Sequence, residues 1–149
     1  MDAFINNLMH FSFIIYFIVI SGISSSPIKR LSHLELDRMV ESLKENWPYL
    51  QDIRVVDAMR LVDRGQFVPK ILRRFAYRGC ALVIEKGKLH ISRPSFVAFM
   101  TERLQLEGGE KVLEIGTGTG YQTAILARLG RRVYTIEINE DYSQEAEER

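Results

Sequence analysis

Lys111-Val112-Leu113-Glu114-Ile115-Gly116-Thr117-Gly118-Thr119-Gly120 is the stretch on which the fold turns. Its first half is a short apolar run, suited to a strand buried on both faces of a parallel sheet. Its second half puts a glycine at every other position. That frees the backbone for a tight turn and for the close approach of a ligand. Thr123 to Leu129 then reads as a strongly apolar helix stopped by Gly130. Arg132-Val133-Tyr134-Thr135-Ile136 reads as a second buried strand ending at Glu137, and another helix starts near Asp141. Strand, glycine turn, helix, strand and terminal acid make one βαβ unit of a doubly wound α/β sheet, with a right-handed crossover.

The spacing of the loop excludes two common ligand classes. A dinucleotide fingerprint needs a small residue at position 121, where Tyr121 stands. A phosphate-binding P-loop needs a lysine after its last glycine, and Tyr121-Gln122 follow Gly120. What remains is E-x-G-x-G-x-G over residues 114–120, which resembles motif I of the S-adenosylmethionine-dependent methyltransferases. The resemblance implies that the ammonium-bearing methionine moiety of that cofactor takes the place of a pyrophosphate, so an acid near the loop makes sense. Glu114, Gly116, Thr117, Gly118 and Gly120 are the candidate cofactor-binding residues. Glu137 is the sixth. It sits 21 residues after Gly116, at a strand tip where a carboxylate can accept hydrogen bonds from both ribose hydroxyls. The plain alternatives are a tight turn without a ligand and an ordinary surface glutamate.

Upstream of the loop the pattern is helical. Leu34, Leu36, Met39, Val40, Leu43 and Trp47 recur at mostly helical spacing before Pro48. Asp52 is placed to cap a second helix carrying Val55, Val56, Met59 and Val62. Residues 71–91 read as irregular, broken by Gly79 and Gly87, and a third helix is expected over Pro94 to Leu104. The folded domain is thus expected over residues 34–149, preceded by an apolar segment and linker over 1–33. Residues 3–23 are mostly apolar, about the length that spans a bilayer as a helix. Lys29 and Arg30 follow that segment and no basic side chain precedes it, which favours a cytoplasmic domain tethered to the membrane. A signal peptide and an extension outside the folded domain are the competing readings.

Composition bounds the rest. The 149 residues are 46% hydrophobic and 26% charged, values of an ordinary globular domain. Twenty basic against nineteen acidic side chains leave a net charge of +1, too little excess for a nucleic-acid binder. Cys80 is the single cysteine and His10, His33 and His90 are scattered, so neither a disulfide framework nor a zinc site is expected.

Several phrases line up in chain order: Asp57 to Arg64, Phe67-Val68-Pro69, Ala76-Tyr77, Ile91-Ser92-Arg93-Pro94, Val97 to Met100, and Val112 to Ala127. Together they resemble the protein-L-isoaspartate O-methyltransferases over about residues 34–149. The resemblance implies a class I methyltransferase fold, Rossmann-like, with a helical N-terminal part. It implies transfer of a methyl group from S-adenosylmethionine to the carboxylate of L-isoaspartyl and D-aspartyl residues in damaged proteins. The ester then cyclises to a succinimide, which can reopen to aspartate. Ser92 matches the serine of the family's Thr-Ile-Ser phrase, between cofactor and substrate, and is the candidate catalytic residue. The expected partners are damaged proteins, without nucleic acid, and a cytoplasmic monomer is expected. His90 and Arg93 replace the family's threonine and glutamine, and Glu85 stands where glycine is common. The chain stops in the helix after the second strand, so it is expected to be the N-terminal part of a longer fold. A methyltransferase of another substrate class and an inactive tethered fragment are the alternatives.

Overall fold

Tyr16-Phe17-Ile18-Val19-Ile20 is built of aromatic and β-branched residues, which suit a strand. In the computed structural model, which describes residues 16–20, 30–85 and 88–149, it forms strand β1 (Tyr16–Ile20). This corrects the expected membrane helix in its second half: these five residues serve as an edge of the sheet. The remainder of the proposed anchor lies outside the described residues. Among those described, no helix is long and apolar enough to cross a membrane.

The helical part follows from the amphipathic stripe. Helix α1 (Arg30–Asn46) buries Leu36, Met39, Val40 and Leu43. Each fully buried apolar side chain contributes about 1.5–3 kcal/mol, so the stripe, more than helix propensity, holds α1 in place. Helix α2 (Ile53–Leu61) begins where Asp52 accepts a hydrogen bond from the Arg54 N–H at 2.9 Å. The Glu102 carboxylate accepts from the Gln51 and Asp52 N–H groups and ties the α1–α2 turn to helix α3 (Pro94–Arg103). Pro94 sits in the first turn of α3, where its missing N–H costs nothing.

Residues 71–91, expected to be irregular, contain two ordered pieces. Lys70–Phe75 is a 3-10 helix, and strands β2 (Leu82–Glu85) and β3 (Leu89–Ile91) form an antiparallel hairpin. Strands of four and three residues are too short to show a two-residue period in the sequence. Glu85 accepts from the Tyr142 hydroxyl outside the hairpin and pairs with Lys88 of the hairpin's own turn at 2.6 Å.

The βαβ unit forms as expected. Strand β4 (Lys111–Ile115) runs into the glycine loop, helix α4 (Tyr121–Leu129) follows, and strand β5 (Arg132–Glu137) lies parallel to β4 with Val112 beside Val133. Helix α5 (Glu140–Glu147) starts at Asn139, whose side chain accepts from the Tyr142 N–H at 3.1 Å. The strand order is β1-β5-β4, with β1 antiparallel to β5. One core joins α1, α2, α3 and α4 through Val40, Met59, Val97 and Ile125. A smaller one gathers Leu106, Leu126 and Val133 between α4 and the sheet.

Candidate functional site

Strand β4 ends where the chain must turn sharply into α4. The Gly116 N–H donates to the Ile136 carbonyl at 2.7 Å and closes the turn onto β5. Gly116, Gly118 and Gly120 have φ of 88°, 53° and 82°, a region that costs any other L-residue roughly 1–2 kcal/mol. Around Gly116 nothing lies within 4 Å of where a side chain would begin, so the backbone is open to a ligand there. At Gly118 and Gly120 the same position is 3.4 Å from Leu89 Cδ1 and from Ala146 Cβ. The loop therefore lies between β3 on one side and α5 on the other.

Two carboxylates fix this loop. Glu137, only 7% exposed, accepts the Gly118 N–H through Oε2 at 2.8 Å. Its Oε1 accepts the Ile138 and Asn139 N–H groups at 2.9 and 3.0 Å. A carboxylate offers about four lone-pair positions, so Oε2 keeps one for a ligand hydroxyl. Glu114 lies beneath the loop. Its Oε2 accepts from the Thr123 hydroxyl and from the Thr135 hydroxyl, the latter at 2.7 Å. Thr135 Oγ1 is also 2.7 Å from Thr117 Oγ1. A hydroxyl has one proton; Thr135 gives it to Glu114, so Thr117 donates to Thr135. Burial pushes the Glu114 carboxyl above its ordinary value, the hydroxyl bonds from Thr123 and Thr135 pull it back, and the nearby Glu137 charge raises it.

Glu114, Gly116, Thr117, Gly118, Gly120 and Glu137 are thus brought together around one turn. Ser92 stands at the exit of β3, three residues after the leucine that reaches Gly118, and is half-buried. It does not cap α3: Arg93 occupies the capping position and makes no side-chain bond there. Thr123 and Thr135 escape a reading of the sequence because each looks like one polar residue inside an apolar element. The signal was the alternation of β5, which turns Thr135 inward with Val133 and Glu137. Arg64 was missed as well. It is fully buried, donates to the Ala76 carbonyl at 2.8 Å and the Cys80 carbonyl at 3.3 Å, and lies 5.1 Å above the Tyr121 ring. Burial lowers the proton affinity of its guanidinium and raises that of the Tyr121 hydroxyl. Arg64 thereby anchors the first residue of α4 from outside the sheet.

The loop fits S-adenosylmethionine: it is open at Gly116, carries no lysine for a phosphate, and ends beside an acid with accepting capacity. Comparisons with known proteins agree. The family model for protein-L-isoaspartate(D-aspartate) O-methyltransferase matches residues 35–149. The protein-L-isoaspartate O-methyltransferase of Anaeromyxobacter dehalogenans (strain 2CP-1 / ATCC BAA-258) is 54% identical over 89 residues, covering 60% of this chain and 42% of that relative. That of Myxococcus xanthus (strain DK1622) is 50% identical over 99 residues, covering 66% and 46%. The chain thus spans less than half the length of these curated relatives. A solved protein-L-isoaspartate O-methyltransferase superposes with a TM-score of 0.64 at 27% identity, over 75% of this chain and 37% of its own. A family match over residues 35–149, on a fold shared with a solved member, places the chain in the protein-L-isoaspartate(D-aspartate) O-methyltransferase family.

Proposed function

We propose that this chain provides the S-adenosylmethionine site and the carboxylate-positioning serine of a protein-repair methyltransferase acting on L-isoaspartyl and D-aspartyl residues. The observation that carries the reading is the Glu137 carboxylate set 2.8 Å from the Gly118 N–H, which makes acid and glycine loop one site. Gly116, Thr117, Gly118 and Gly120 shape the backbone that would receive the methionine moiety, Glu114 holds Thr123 and Thr135 beneath it and through Thr135 the Thr117 hydroxyl, and Glu137 would take a ribose hydroxyl. The cofactor supplies a methyl group already activated on a sulfonium.

The nucleophile needs no general base, because a carboxyl with a pKa of about 4 is ionised at neutral pH. The protein's task is alignment. Ser92 Oγ–H would donate to one oxygen of an isoaspartyl carboxylate and leave the other free to act as the nucleophile. Orientation and exclusion of water supply up to roughly 7–11 kcal/mol in favourable cases. The damaged proteins and the cofactor place this work in the cytoplasm, with the protein acting as a monomer. The expected tether over residues 3–23 is not part of this reading, since Tyr16–Ile20 belongs to the sheet.

The test joins calorimetry with methyl transfer. The chain should bind S-adenosylmethionine, and Glu137→Ala should weaken binding roughly tenfold to a hundredfold, the loss of a charge-assisted hydrogen bond. Ser92→Ala should keep that affinity and lose transfer of labelled methyl to an isoaspartyl peptide. Unchanged affinity in Glu137→Ala would remove the acid from the site. Transfer to other acceptors but to no isoaspartyl peptide would favour a methyltransferase of another substrate class.

A further inference from the structure

From Arg64 to Ile84 the sequence contains Arg64, Lys70, Arg73, Arg74 and Arg78 and no acid, in a chain whose net charge is only +1. Arg64 is spent inside the fold, while the other four are exposed. Arg74 and Arg78 each lie 4.6 Å from the centre of the Phe75 ring, which holds both guanidiniums in place. Across from them, Arg38 on α1 completes one wall of an open groove of about 380 Å³, with Met39 and Tyr77 among its lining and Glu35 at its rim. Among the described residues, none of Arg38, Arg74 and Arg78 pairs with a carboxylate. The other wall is rigid as well. Tyr77 donates to Asp63 at 2.5 Å, and the Arg64 guanidinium grips the carbonyls of Ala76 and Cys80 on either side of the turn.

We infer that this groove is a docking surface for an acidic stretch of polypeptide. Arg74 and Arg78, stacked on Phe75, together with Arg38 present forked donors matched to carboxylates. Tyr77, half-buried in the groove, offers apolar area for the chain between those carboxylates. The occupant is the acidic segment flanking the residue to be methylated, which rests on the reading of the chain as a protein methyltransferase. The Arg64 anchor ties this surface to Tyr121 at the start of α4, so a peptide held here lies on the same rigid frame as the glycine loop. Substrate choice then depends on flanking charge as well as on the isoaspartyl residue.

The experiment is fluorescence anisotropy with labelled peptides carrying one isoaspartyl residue flanked by glutamates or, in the control, by glutamines. The glutamate peptide should bind roughly tenfold tighter, the sum of a few exposed ion pairs, and the advantage should shrink as sodium chloride is raised. Arg74→Gln with Arg78→Gln should remove the advantage while leaving affinity for the glutamine peptide and the melting temperature unchanged. Calorimetric binding of S-adenosylmethionine is measured in parallel. Cofactor binding with equal affinity for both peptides overturns the docking surface and leaves the methyltransferase reading intact; no cofactor binding with the charge preference preserved does the reverse. A single-stranded oligonucleotide that outcompetes the glutamate peptide also overturns it.

Discussion

Glu114 is the residue at which burial and hydrogen bonding oppose each other most directly. Burial wins, so its carboxyl holds a proton more readily in the folded chain than in the unfolded one. A group of that kind adds stability that is complete below its ordinary value of 4.5 and lost as pH rises through the higher folded value. Glu114→Gln keeps the shape and removes the titration. The variant should therefore gain stability relative to wild type as pH rises from about 4.5 to about 7, read by chemical denaturation across that range. A gap that narrows instead would mean that the Thr123 and Thr135 hydroxyls outweigh burial. At this scale the sequence was legible wherever a residue type is forced by backbone shape or by position at a strand tip, as with Gly116 and Glu137. Thr135 was not, because its meaning lies in which face of β5 it occupies and in a partner 21 residues earlier. Arg64 was quoted for its place in a phrase, but nothing local announced that its guanidinium would be buried against Tyr121.

Among the elements, the turn from β4 into α4 is the most constrained. Gly120 opens α4 at φ 82° and has Ala146 of α5 at 3.4 Å from the position of a side chain. Gly120→Ala should cost about 1–3 kcal/mol, from the left-handed backbone together with that contact, and lower the melting temperature by several degrees. An unshifted melting curve would show that the turn relaxes freely. The βαβ unit was readable because its strands are continuous apolar runs bounded by glycines and an acid. The β2–β3 hairpin was not, since its strands are too short to show a period and its contacts are distant in sequence: Ile91 joins the helical core, and Glu85 meets the Tyr142 hydroxyl across 57 residues. Strand β1 was misread as part of a membrane helix for a related reason. An apolar run of aromatic and β-branched residues fits either a bilayer or an open sheet edge, and only β5 decides between them.

At the scale of the whole molecule, β5 is the strand with a neighbour on each side, and the two neighbours differ. Arg132 donates to the Glu110 carbonyl and Ile136 accepts from Gly116, so the even-numbered positions of β5 face β4. By alternation Val133, Thr135 and Glu137 face β1, opposite Ile20, Ile18 and Tyr16. Among the described residues both β1 and β4 have β5 as their hydrogen-bonded neighbour, but β4 is continuous with the glycine loop and α4, whereas β1 comes from a distant part of the chain. Deuterium uptake along β5 should therefore keep two clocks. The amides of Tyr134 and Ile136 exchange only when the βαβ unit itself opens. Those of Val133, Thr135 and Glu137 exchange each time β1 lifts away. Residue-resolved exchange should show protection rising and falling with a period of two along a strand that is, by every other measure, uniformly ordered. Equal rates at neighbouring amides would mean that β1 and β4 leave β5 together.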